Sequence, residues 1–151
     1  MLKFIYKKRG GIFLKEITIQ AEKDNLDKLH KFIDSEFKDG DYSEGFIRQI
    51  KIIVDEIFTN ISSYAYSNDS SGPKNMKLII DQNPDEILLR FEDSGVPYNP
   101  LLSKTPDITL SVEERNIGGL GLFLVKNMSD NIDYKYEQGK NILIVIKKTH
   151  S

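Results

Sequence analysis

Residues 43–93 read SEGFIRQIKIIVDEIFTNISSYAYSNDSSGPKNMKLIIDQNPDEILLRFED, and one change of pattern within them decides the fold. Phe46, Ile50, Ile53, Ile57, Ile61 and Ala65 recur at intervals of three and four, the stripe of a long, mostly buried helix, and Ser43 stands where an N-cap would. The polar stretch 67–75, SNDSSGPKN, cannot pack a core and reads as an exposed loop. Beyond it, 76–81 and 86–92 have the composition of strands, and Asn83-Pro84-Asp85 between them is a hairpin-type connection. These two strands are expected to pair antiparallel.

Towards the N-terminus, IFLKEITIQ at 12–20 has the β-branched and aromatic content of a first or outer strand. From Asp24 onward Leu26, Leu29, Ile33 and Phe37 recur at helical spacing, with charged residues on the other face, until Lys38-Asp39-Gly40 ends the helix. Towards the C-terminus, 94–116 contains Pro97, Pro100 and Pro106 and no sustained period. A connection that long in a compact domain is expected to work as a lid or binding loop. Gly118, Gly119 and Gly121 then lead into a short helix carrying Leu122, Val125 and Met128, and two strands at 132–136 and 142–148 flank Gln138-Gly139-Lys140. The order β, α, α, β, β, lid, α, β, β predicts an α+β fold: a two-layer α/β sandwich whose mixed, mostly antiparallel sheet is covered on one face by helices. We expect one domain over 12–149 with a short N-terminal extension at 1–11, in which Lys7-Lys8-Arg9 reads as a solvated tail.

Composition limits the chemistry. The chain has 151 residues, 21 basic and 23 acidic, a formal charge of −2 and 39% hydrophobic residues, which fits one globular domain with a real core. A near-neutral chain has no broad field with which to grip a polyanion, so direct nucleic-acid binding is not expected. With no cysteine there is neither disulfide nor thiolate metal site, and His30 and His150 lie far apart in sequence. The longest apolar stretch without a charge, 117–125, is far short of a bilayer span. The start, MLKFIYKKRGG, has its charges after a short apolar cluster, the wrong order for a signal peptide, so a cytoplasmic protein with no membrane association is expected.

Three places have residues suited to chemistry. Glu56 and Asn60 are four apart and therefore stacked on one side of the long helix. An amide oxygen there could serve Mg²⁺, and the carboxylate could accept a proton; the plainer reading is a polar solvent edge. Asp93-Ser94-Gly95 closes a strand, where a carboxylate can accept from an amine such as adenine's and a glycine lets a flat ligand approach, although Asp-x-Gly is also a common strand exit. Gly118-Gly119-Leu120-Gly121 at a helix start offers bare N–H groups to phosphate, or serves only as a hinge. It is neither a Walker loop nor a dinucleotide fingerprint, since no Gly-Lys-Ser/Thr follows and Leu124 stands at the third glycine position.

Taken in order, these segments resemble the anti-sigma factor serine kinases, a branch of the ATPase superfamily that includes histidine kinases, gyrase, Hsp90 and the mismatch-repair proteins. The resemblance runs from about Phe13 to Lys148 and is most specific in DSGVPYNP, EERNIGGLGLFLVKNMSD and YKYEQGKNILIVIKK. It implies a left-handed βαβ ATP fold, use of ATP with Mg²⁺, and transfer of the γ-phosphoryl group to a serine of a small antagonist protein. Carried over by position, Glu56 matches the general base, Asn60 the magnesium ligand, Asp93 the adenine-binding aspartate and Gly95 the glycine beside it. Gly119 and Gly121 match phosphate-contacting glycines of the lid hinge, with Gly118 and Leu120 in the same turn. Arg115 is a phosphate contact by charge and position. Tyr64 stands where many relatives have histidine, and Asn99 in PYNP where many have aspartate. These departures leave open whether a sigma factor is a second partner beside the antagonist. The resemblance also implies a homodimer. The main rival is a nucleotide-responsive module that sequesters a partner protein with little or no kinase turnover. The catalytic piece of a sensor histidine kinase fits less well, because neither histidine sits in a dimerisation hairpin.

Overall fold

Alternation on the central strands places the core. In the computed structural model, which describes residues 7–9, 12–66, 72–102 and 119–150, the strands are β1 (Lys7–Arg9), β2 (Ile12–Gln20), β3 (Asn75–Gln82), β4 (Glu86–Asp93), β5 (Asn131–Glu137) and β6 (Lys140–Lys148). They form one sheet in the order β1-β2-β3-β4-β6-β5, and all five pairings are antiparallel. The register aligns Ile17, Leu78, Phe91, Leu143 and Tyr134 in one row across the sheet. Because side chains alternate faces, the residues two positions along point the same way, so Ile80, Leu89 and Val145 extend the apolar face.

The helices α1 (Leu26–Phe37), α2 (Glu44–Asn60) and α3 (Gly119–Met128) cover that face. Leu29, Phe32, Ile33 and Phe37 of α1 and Ile50, Ile53, Val54, Ile57 and Phe58 of α2 are buried in one cluster with the strand residues. Truncating a side chain such as Phe58 there costs about 3–5 kcal/mol. Ser43 caps α2 as its position suggested: its Oγ accepts from the Phe46 N–H at 3.1 Å. The helical stripe does continue to Ala65, but the last turn, Ile61–Ala65, is a π-helix, a widened turn common near functional sites.

Two details depart from expectation. Lys7-Lys8-Arg9 is strand β1 rather than a loose tail, paired antiparallel with β2 through Lys7↔Leu14 and Arg9↔Ile12. The physical reason is that the outer edge of β2 presents unpaired N–H and C=O groups, and a lysine-rich strand is a usual cover for such an edge. The sheet is also antiparallel in every described pairing. The hairpins fall where expected. Asn83 Oδ1 accepts from the N–H groups of Asp85 and Glu86, each at 2.9 Å, and Gln138 and Gly139 take the positive φ of 53° and 74° that a two-residue turn of this hand requires. No helix among the described residues is long and apolar enough to cross a membrane.

Candidate functional site

The site lies where the apolar face of the sheet runs out. One step along the strands from the Leu78-Phe91-Leu143 row, on the same face, come Met76, Asp93 and Asn141 in register. Two aliphatic strands therefore each end their buried row with a polar residue, side by side. Asp93 is 8% exposed and Asn141 7%. They form one wall of a pocket of about 600 Å³, counted with the solvent at its mouth. Asn60 and the π-turn of α2 form the opposite wall, Val96 and Tyr98 lie on the loop after β4, and Leu122 of α3 closes one side.

Asp93 is held firmly. Its Oδ1 accepts from the Gly95 N–H at 2.9 Å and from Asn141 Nδ2 at 3.0 Å. The first of these is the turn expected of Asp-x-Gly, so the same residue closes the strand and faces the pocket. Burial pushes the Asp93 carboxyl up from its ordinary value, and the two donors offset part of that rise. The loop that follows is tied to α2. The Val96 N–H donates to the Ala65 carbonyl at 3.0 Å, which the helix end leaves without a further turn to bond it. Gly95 is required at this approach, since a Cβ there would lie 2.2 Å from the Ala65 carbonyl oxygen. Tyr66 adds a second tie, its hydroxyl donating to the Asn75 carbonyl at 2.6 Å and accepting from the Ser94 N–H at 2.9 Å.

Glu56 and Asn60 stand one turn apart on α2, as their spacing required. Asn60 lines the pocket, whereas Glu56 meets the first turn of α3: a Cβ on Gly121 would lie 2.1 Å from Glu56 Oε2. Burial, and secondarily the neighbouring Asp55, pushes the Glu56 carboxyl up. Asp55 itself is turned to α1, where His30 Nε2 lies 2.6 Å from its Oδ1. The α3 helix begins at Gly119, so Gly119, Leu120 and Gly121 contribute the N–H groups of its first turn, which have no partner within the helix. Its other end is pinned. Lys147 Nζ donates to the Met128 carbonyl at 2.7 Å, and Ser129 Oγ donates to the Val125 carbonyl at 2.7 Å. Arg115 and Gly118, and most of the expected lid, lie outside the described residues.

The structure thus brings Asn60, Asp93 and Leu122 of α3 around one cleft, with Gly95 bonded to Asp93 beside it and Glu56 placed one turn from Asn60 against Gly121. It also adds Asn141, Tyr134 and Tyr66, which sequence reasoning did not single out. Asn141 had one visible signal, as a lone amide opening the aliphatic run NILIVI, but its place opposite Asp93 depends on strand register.

Residues 19–147 align with the histidine kinase-like ATPase domain. The chain belongs to this family. Within it, the chain is similar to the serine-protein kinase RsbW of Listeria monocytogenes serovar 1/2a (strain ATCC BAA-679 / EGD-e), with 27% identity over 107 residues, 68% of this chain and 67% of the relative. It is 26% identical to the anti-sigma F factor of Geobacillus stearothermophilus over 109 residues, 69% and 70% of the two chains. The serine-protein kinase RsbW of Bacillus cereus (strain AH187) is 30% identical over 102 residues, 65% and 62%. Membership of the family accounts for the α+β sandwich.

Proposed function

We propose that the chain is an ATP-binding serine-protein kinase of the anti-sigma factor type, which acts in the cytoplasm and phosphorylates a small antagonist protein in a partner-switching pathway. The observation that supports this reading is the cleft lined by Asn60 and Asp93, with Glu56 one turn from Asn60 on α2 and its carboxylate against Gly121 of α3. Support comes from relatives named serine-protein kinase and anti-sigma F factor. In this reading 12–149 act as one nucleotide-binding domain, a sigma factor is a second partner, and the active form is a homodimer.

Each residue has a stated task. Asp93 accepts from the exocyclic amine of adenine, and Gly95, whose lack of a Cβ lets the loop close on Ala65, steadies the Asp93 carboxylate through its N–H. The first-turn N–H groups of α3 at Gly119, Leu120 and Gly121, continued by Gly118 and Arg115, receive phosphate oxygens. Glu56 takes the proton of the incoming serine hydroxyl, a role suited to a carboxyl whose basicity burial raises. Asn60 fits Mg²⁺ through its amide oxygen. It lines the pocket, and Mg²⁺ is a hard cation that takes oxygen ligands and keeps water and phosphate oxygens in its shell. When bound, Mg²⁺ neutralises charge on the phosphoryl group.

The test is incubation of the purified chain with γ-labelled ATP and candidate antagonist proteins encoded by neighbouring genes. Label on an antagonist serine is the expected result. Complex formation without label identifies a sequestering module instead.

A further inference from the structure

We propose that Lys147 is a positioning residue for phosphate binding: from β6 it holds the last carbonyl of α3 and thereby fixes where the first-turn N–H groups of that helix stand across the cleft. The proposal rests on the nucleotide-binding reading above and assigns a task to a buried cation that the proposed mechanism leaves unused.

A lysine is an unexpected residue at this place. Leu143 and Val145 occupy the core face of β6, and Lys147 follows them on the same face, in register with Ile87 of β4. It is only 9% exposed. Burial pushes its ammonium group down from the ordinary lysine value, and Asp130 offsets part of that fall. An aliphatic side chain would fill the position without that cost, so packing alone does not account for the charge. The contacts of Nζ do account for it: the atom donates to the Met128 carbonyl at 2.7 Å and lies 5.4 Å from the centroid of the Phe46 ring on α2.

Met128 is the final residue of α3, and its carbonyl has no N–H partner within the helix. A cation there also meets the negative end of the helix dipole. The chain that leaves the helix is tied to the same strand, with the Asp130 N–H donating to the Ile146 carbonyl at 2.8 Å and Asp130 Oδ2 accepting from the Lys148 N–H at 2.7 Å. Contacts along the rest of α3 are of another kind. Leu122 and Val125 are buried, and Gly121 meets the flexible tip of Glu56. Apolar packing holds a helix against its neighbours but has no direction, so it tolerates a slide along the helix axis; a hydrogen bond to the terminal carbonyl does not. The ten residues of α3 make a rod about 15 Å long, so a displacement at Met128 reappears at Gly119, where phosphate is received.

The test compares ADP with adenosine, binding measured by calorimetry on the full chain without Mg²⁺, so that the ratio of the two affinities isolates what the phosphates add. The wild type should favour ADP by about tenfold or more, the scale of a hydrogen bond to a charged partner. Lys147→Met keeps a side chain of similar length without the charge. It should cut that ratio at least about fivefold while adenosine affinity stays within about twofold. If both affinities fall together and the ratio holds, or if neither changes, Lys147 only braces the sandwich and the proposal is wrong, while the nucleotide reading stands. If Lys147→Met does not fold, Lys147→Gln, too short to reach the Met128 carbonyl, decides by the same ratio, and an unchanged value overturns the proposal. A wild type that binds ADP no better than adenosine overturns the proposal together with the phosphate role of α3, and one that binds neither overturns the whole nucleotide reading.

Discussion

Asp93 and Glu56 each contribute a carboxylate at a cost to the fold. Burial raises the folded pKa of Asp93 above its ordinary 3.8. Below that value native and unfolded states are both protonated; as pH rises, the unfolded chain ionises first, so the native state loses stability until pH passes the raised folded value. Asp93→Asn removes this loss. Urea unfolding should therefore show the variant level with wild type near pH 3.5 and more stable at pH 7, while nucleotide affinity falls about tenfold to a hundredfold. The sign is the same for Glu56, and here the kinetics discriminate. Glu56→Gln should leave nucleotide affinity intact and slow serine phosphorylation by about a hundredfold or more, as loss of a general base does. Asn60→Ala should make ATP binding less dependent on Mg²⁺, read by titration with and without the metal. Glu56 and Asn60 were legible because helical spacing alone stacks them. Asn141 was not, because nothing local to GKNILIVI says which strand will lie opposite.

Elements converge on the cleft through two glycines that differ in what they face. At Gly95 an added methyl would meet the Ala65 carbonyl oxygen at 2.2 Å, a backbone atom that cannot yield without breaking the Val96 tie. At Gly121 it would meet the tip of the Glu56 side chain at 2.1 Å, which can swing aside. Gly95→Ala should accordingly destabilise the fold by about 1–3 kcal/mol and weaken nucleotide binding, while Gly121→Ala should keep near wild-type stability and lose phosphorylation with Glu56 displaced. Thermal unfolding beside a kinase assay separates the two. Element positions were readable from period and turn chemistry: Ser43 caps α2, Asn83 closes the β3–β4 turn and Gln138-Gly139 the β5–β6 turn. The widened turn at Ile61–Ala65 was not readable, because its residues continue the helical stripe and only the contact with the loop after β4 makes the end distinctive. Nor was β1, where three basic residues suggested solvent while the edge of β2 supplied the partner.

At the scale of the whole molecule, the site uses the seam between the two layers. Its walls come from α2, α3, the end of β4 and the far strands β5 and β6, so occupancy should favour the assembled sandwich over its parts. ADP at a hundred times its Kd should raise unfolding free energy by about 2.7 kcal/mol, and Asp93→Asn should lose most of that gain at the same concentration. The layered architecture could be predicted because the order of elements leaves few ways to bury both helices of the first half against adjacent antiparallel strands. The sheet order, in which β6 inserts between β4 and β5, joins residues remote in sequence, and the Asp93–Asn141 pair depends on that insertion.

The Val96 amide bridges these scales. Its single bond to the Ala65 carbonyl links the strand that carries Asp93 with the helix that carries Asn60. It is therefore a natural spectroscopic gauge: isotope exchange and the chemical shift at this one nitrogen would report, without any attached label, how firmly the Asp93 side and the Asn60 side of the cleft stay engaged.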